Sequence, residues 1–169
     1  VILDKSLKQY LFVINAMKSS RKKIYNMTKK EKQHILLAIN EARRHLHDSR
    51  YHLCAIIASG NKIISIGFNQ LKTHPKATNP YRYLHAEIDA IIGMPIEELK
   101  GATMYVARVG YTSRERICMS KPCKYCAAAI KAAGIKKVYY TYNSNAKIGC
   151  WDIRNDHNYP ILEEVHPED

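Results

Sequence analysis

Apolar residues Leu7, Tyr10, Leu11, Ile14 and Met17 recur every three or four positions and predict an amphipathic helix over residues 4–19. A basic connector occupies 19–30, and Thr28 with Glu31 three positions on forms a capping-box pair that starts a second helix, running to about His47. Two Ile-rich runs, 52–59 and 62–69, flank Ser59-Gly60-Asn61 and read as a β-hairpin with a tight turn. Residues 70–84 contain Pro75 and Pro80 and are expected as a loop over the sheet. A helix begins near His85 and carries Ile88, Ile91 and Ile92 inward; a third strand covers 103–108, and a polar loop fills 109–121. Pro122 suits a first helical turn, because its missing N–H costs nothing there, and the Ala-rich helix that follows ends at Gly134. Residues 137–141 make a fourth strand. A hairpin followed by alternating helix and strand predicts an α/β fold with a mixed sheet covered by helices.

The chain's 169 residues fit one domain, and 46% hydrophobic with 25% charged residues describes an ordinary soluble globular protein, which excludes the disordered class. Charge changes the picture more. The net charge is +12, and residues 1–50 hold twelve Lys/Arg against four Asp/Glu, whereas residues 152–169 hold six acids and one base, Arg154. A basic face attracts phosphate, on a nucleotide or a polynucleotide. The competing reading is a solvated face in a Lys-rich composition. Five cysteines without framework spacing suggest reduced thiols and a cytoplasmic setting. Asn15 interrupts the apolar run 11–17, so neither a signal peptide nor a membrane span, and no membrane partner, is expected.

The chemistry concentrates in His85-Ala86-Glu87 and, after 34 intervening residues, Pro122-Cys123-Lys124-Tyr125-Cys126. One nitrogen and two thiolates fill three corners of a tetrahedral zinc site and leave the fourth for water, as catalytic zinc requires. Cysteines three apart at a helix start project on nearly one face, and the helix dipole there favours thiolates. Glu87, two positions from His85, points elsewhere and is free to move protons. H-x-E followed by P-C-x-x-C is the signature of zinc deaminases that attack C4 of cytosine or C6 of adenine. The expected cofactor is Zn2+, which brings the pKa of its water toward neutrality, with Glu87 as general acid and base.

Over 49–141 the chain resembles the cytidine/deoxycytidylate deaminase superfamily in the order of four blocks: Gly67-Phe68-Asn69, His85 to Ile91, Pro122 to Cys126, and Gly134 to Tyr140. The resemblance implies a three-layer α/β/α cytidine deaminase-like fold around a five-stranded mixed sheet. It also implies that Asn69 helps hold the sugar or base, that the Ala86 backbone lies against the base, and that the protein is a homo-oligomer. The chain is accordingly divided into a basic N-terminal helical extension (1–30), a zinc-dependent deaminase domain (31–150) and an acidic C-terminal tail (151–169). Two departures bear on substrate: Asp89 stands where deoxycytidylate deaminases usually have Asn, and Lys121 where tRNA adenosine deaminases usually have Glu.

Further candidates carry weaker signals. His74, in the loop before the catalytic helix, and Tyr140, after which the last strand ends, are candidate substrate contacts; a plain loop histidine and a packing tyrosine compete with them. Arg114, Arg116 and Lys121 precede the cysteine helix and are candidates to meet phosphate, against a merely solvated loop. His45, His47, His52 and Cys54 are close in sequence, but spacing alone assembles no second metal site. Trp151 is expected to anchor the tail to the body. The leading substrate is a pyrimidine nucleotide such as deoxycytidylate. One rival is a deaminase of tRNA or single-stranded DNA or RNA that uses the basic N-terminal region as its track; another is an inactive, zinc-containing nucleic-acid-binding module, against which the intact Glu87 argues.

Overall fold

The computed structural model describes residues 26–45, 52–77, 80, 82–110, 116–142 and 147–164. The helix expected over 4–19, residues 1–25 of the basic N-terminal region, His47 and Arg114 lie outside these residues. Helix α1 (Lys29–Arg44) begins at the capping box: Glu31 N–H donates to Thr28 Oγ1 at 3.2 Å, and Thr28 N–H donates to Glu31 Oε2 at 2.8 Å. It ends at Arg44 with His45 as its extended cap, short of His47. Glu31 has a second task, since Tyr139 Oη donates to its Oε1 at 2.8 Å and so ties the first turn to the sheet.

Strands β1 (His52–Ser59) and β2 (Lys62–Phe68) form the expected hairpin, which turns at Gly60 with φ +58°, a conformation that a residue without Cβ adopts freely. Helices α2 (Ala86–Ile91) and α3 (Ile96–Leu99) follow, then β3 (Thr103–Val109), β4 (Ile117–Cys118), α4 (Lys124–Ala132), β5 (Lys137–Thr141), β6 (Lys147–Asp152) and β7 (His157–Glu164). The sheet order is β2-β1-β3-β5-β6-β7, with β4 paired to β3 off this path. Strands β3 and β5 pair in parallel and the other described pairs are antiparallel, so the sheet is mixed.

Among the described residues the sheet has seven strands, where four were located and five implied. Strand β4 is a two-residue return inside a polar loop, too short to show alternation. The segment from 151 onward, expected as an acidic tail, contributes the end of β6 and all of β7. Pro160 obscures β7 in the sequence, yet proline is acceptable on an edge strand, and β7 is an edge. Trp151 does anchor this segment: it is 6% exposed and packs in the core cluster that holds Ile130 and Val138, while its Nε1–H donates to Asp156 Oδ1 at 3.1 Å within the following turn.

Period-two alternation makes the layers. Cys54, Ile56, Tyr105, Ala107, Tyr139, Ile148 and Cys150 pack with Ile35, Ala38, Ile39 and Ala42 of α1. Ala55, Ile57, Met104, Val106, Val138, Tyr140 and Trp151 face the other way, with Ile88 of α2 and Cys126 and Ile130 of α4. The architecture is α/β/α in three layers. Because β2 and β3 both run opposite to β1, and β5 runs with β3, the carboxyl ends of β2, β3 and β5 share one edge of the sheet. Such an edge is where ligands bind in α/β sheets. Among the described residues, no helix is long and apolar enough to cross a membrane.

Burial in the α1 layer governs two thiols. Cys54 and Cys150 are fully buried, and the loss of hydration pushes both thiols up to about 12. Thiolate is the reactive form, so iodoacetamide at pH 8 is expected to leave both untouched in the folded protein and to label them on denaturation. Peptide mapping of carbamidomethyl groups checks this; native labelling at either position would contradict the packing.

Candidate metal centre

Three contacts seat α2 directly on the edge strand β2. Gly67 presents no side chain to it: a Cβ there would lie 2.3 Å from Ala90 N and 2.4 Å from Ala86 O. Asp89 Oδ2 accepts from Phe68 N–H at 2.9 Å, and Ser65 Oγ donates to Ala90 O at 2.7 Å. A backbone pair, Gln70 N to Leu84 O at 3.0 Å and Leu84 N to Gln70 O at 2.9 Å, closes the loop just ahead of the helix. His85 is thereby held as the extended N-cap of α2, with Glu87 inside the first turn. An isolated glycine in an Ile-rich strand, as at Gly67, is the sequence sign of such a close backbone approach.

Helix α4 starts at the same edge. Cys123 is its N-cap, and its Sγ accepts from Cys126 N–H at 3.5 Å. His85, Cys123 and Cys126 bring their ligand atoms within 4.8 Å of one another, the only such group of three among the described residues. His85 Nδ1 lies 3.3 Å from Cys126 Sγ and 3.7 Å from Cys123 Sγ. A tetrahedral zinc with ordinary bond lengths would set such a nitrogen–sulfur edge at about 3.6 Å, so the three donors fit the metal.

Electrostatics agrees with that donor set. Burial lowers the pKa of His85, which keeps the imidazole neutral with a lone pair to offer. Burial first, then the neighbouring Glu87 and Cys123, holds the Cys126 thiol far above its ordinary range, so its thiolate needs a cation for company. Glu87 is 4% exposed and pushed up to about 6 by burial, against its backbone hydrogen bond and its contact with the Cys126 thiol. Its Oε2 is buried without a hydrogen-bond partner. A carboxyl oxygen kept free in a buried position beside metal donors can take and return a proton from a bound molecule.

The other expected residues fall at different distances from this chemistry. Ala86 is fully buried between His85 and Glu87. Asn69, 7% exposed at the end of β2, accepts from Leu53 N–H at 2.8 Å through Oδ1. His74 sits in a turn of the loop, its Nδ1 accepting from Lys76 N–H at 3.1 Å. Tyr140 is 3% exposed, donates from Oη to Asn158 Oδ1 at 3.3 Å, and lays its ring over Gly149, where a Cβ would come within 2.3 Å of Cζ. Arg116 and Lys121 are exposed. His45 stacks on Phe68 at 3.9 Å, and His52 and Cys54 join no metal-ligating group of three among the described residues. Tyr83 stacks near-parallel on His85 at 5.5 Å and is 39% exposed.

Comparison with known proteins agrees with the site. The profile of the cytidine and deoxycytidylate deaminase zinc-binding region matches residues 28–142. The chain is 35% identical over 99 residues to a deoxycytidylate deaminase of Pongo abelii, covering 50% of this chain and 49% of the relative. It is 32% identical over 99 residues to the Homo sapiens deoxycytidylate deaminase, again covering 50% of this chain and 49% of the relative. The match thus spans about half the length of these curated relatives. Among solved structures, the apo dCMP deaminase of cyanophage S-TIM5 aligns with a TM-score of 0.48 at 25% identity, over 69% of this chain and 86% of the other.

Proposed function

This chain belongs to the family of the cytidine and deoxycytidylate deaminase zinc-binding region, and we propose that it is a zinc-dependent hydrolase converting cytosine to uracil in a pyrimidine nucleotide. The observation that carries the reading is Glu87: a buried carboxyl group with a partnerless Oε2, set beside the His85, Cys123 and Cys126 donors. Zinc held by those three residues supplies the Lewis acidity that makes water a usable nucleophile near neutral pH. Glu87 Oε2 takes the proton of the attacking water and passes it to the ring nitrogen N3. It then takes the second proton, from the hydroxyl group formed at C4, and passes it to the C4 amino group, which leaves as ammonia as the C4–N bond breaks and the C4 carbonyl forms. The Ala86 backbone and Asn69 flank the base, with His74 on the loop above.

Deoxycytidylate leads as substrate because the matched relatives carry that name. Exposed Lys72, Lys76, Arg82 and Lys121 supply positive charge suited to its phosphate. The charge of residues 1–50, twelve bases against four acids, favours a second reading in which single-stranded nucleic acid is the substrate. The two part in one assay. Zinc-loaded protein is given deoxycytidylate, cytidine, and cytosine-containing single-stranded DNA and RNA, and uracil formation is followed at low and physiological salt. Turnover of deoxycytidylate with weak salt dependence is expected. Turnover of the polymers alone, falling steeply with salt, would replace the first reading with the second.

A further inference from the structure

The parallel ladder between β3 and β5 stops at Val106 and Tyr140, and from Arg108 onward β4 takes the edge of β3 instead. Where the three strands part, backbone groups would be left buried without partners, and two hydroxyl side chains fill the gap. Ser120 is 3% exposed and Thr141 fully buried. Ser120 Oγ donates to Val106 O at 2.7 Å and accepts from Thr141 N–H at 2.9 Å. Thr141 Oγ1 lies 2.7 Å from Cys118 O and 2.8 Å from Ser120 Oγ, and accepts from Arg108 N–H at 3.2 Å. Ser120 N–H donates to Thr141 O at 2.9 Å. Two hydroxyl protons are shared over three short oxygen–oxygen contacts, so the chain is pinned at both Cys118 and Ser120.

Those pins precede Pro122-Cys123. Cys126 is buried inside α4, where helical packing places it. Cys123 differs: it is the half-buried N-cap, and the course of the chain before it sets where its sulfur lies. We infer that Ser120 and Thr141 are positioning residues for the metal centre, acting through the 118–122 segment to hold Cys123 Sγ in register with His85 and Cys126. The inference rests on the proposed zinc chemistry of that site. Partners that orient metal ligands from outside the coordination sphere typically change affinity tenfold to a hundredfold.

The test is zinc affinity, by competition with a chromophoric chelator, in Thr141→Val, Ser120→Ala and Thr141→Ser, beside Ile39→Ala in the α1 layer as a control that loses core packing far from the metal. Thr141→Val keeps the shape and removes the hydroxyl, whereas Thr141→Ser keeps the hydroxyl. Zinc binding roughly tenfold weaker or more in Thr141→Val and Ser120→Ala is expected, with Thr141→Ser near the parent and Ile39→Ala less stable but unchanged in affinity. Parental affinity in either hydroxyl-less variant would overturn the inference and leave the pair as strand-junction packing. If neither folds while Thr141→Ser does, the inference is equally overturned. Failure of the functional reading looks different: the variants weaken zinc as expected, but the zinc-loaded parent deaminates nothing. A parent that binds no zinc removes both.

Discussion

Glu87→Gln is expected to lower cytosine deamination by roughly 10²- to 10⁴-fold, the usual range for loss of a positioned general acid–base, while leaving zinc content unchanged. Gln matches Glu in shape but cannot take the proton of the attacking water. The substitution should act oppositely on the metal-free fold. Burial pushes Glu87 up to about 6 from an ordinary 4.5, so ionising it is harder in the folded than in the unfolded chain. Stability from this group is therefore full below about pH 4.5 and is lost as pH rises through about 6, leaving a penalty on the order of 2 kcal/mol at pH 7. Metal-free Glu87→Gln should be more stable than the parent at pH 7 by up to that amount, with the difference vanishing near pH 4. Urea unfolding at the two pH values, with zinc analysis and initial rates on the loaded proteins, checks both halves. A loaded variant within tenfold of the parent would remove Glu87 as proton carrier.

Gly67→Ala is expected to cost about 3 kcal/mol and to abolish stoichiometric zinc binding, at the severe end of what overpacking does. The added methyl would meet Ala90 N at 2.3 Å, Ala86 O at 2.4 Å and Ala90 Cα at 2.8 Å, all backbone atoms that cannot rotate away. Relief requires α2 to lift from β2, which breaks the Asp89–Phe68 and Ser65–Ala90 bonds and moves His85 and Glu87 from the cysteines. Gly60→Ala makes the contrast. Its Cβ meets nothing within 4 Å, but φ is +58°, so it should cost about 1–2 kcal/mol through backbone strain and leave zinc bound. Zinc retained in Gly67→Ala would show that β2 does not set the position of the ligands.

Asp89 illustrates how a departure from a family pattern is resolved by geometry. The sequence shows only that an acid replaces the usual amide. In the fold its Oδ2 serves as acceptor for an edge-strand N–H, a task an Asn carbonyl performs as well. The histidines around β1 show the reverse. They are close in sequence, yet His45 stacks on Phe68, and among the described residues His52 and Cys54 join no metal-ligating group of three.

What the residues alone determined is local. The capping box at Thr28 and Glu31, the turn at Gly60, and the donor types of His85, Cys123 and Cys126 each depend on a few neighbouring positions; the first two appear in the fold as read, and the three donors come together at one edge of the sheet. Strands β4, β6 and β7 were not legible, because a two-residue return and a proline-bearing edge strand are defined by the strands they pair with rather than by their own periodicity. Only the tertiary structure decided the rest. His85 and Cys126 are 41 residues apart in the chain and 3.3 Å apart in space because two helices begin at one edge of one sheet. The pKa of Glu87 follows from how completely that arrangement excludes water, and the burial of Ser120 and Thr141 follows from where parallel strands diverge. Burial and register are properties of contacts between distant segments, and no local spacing encodes them.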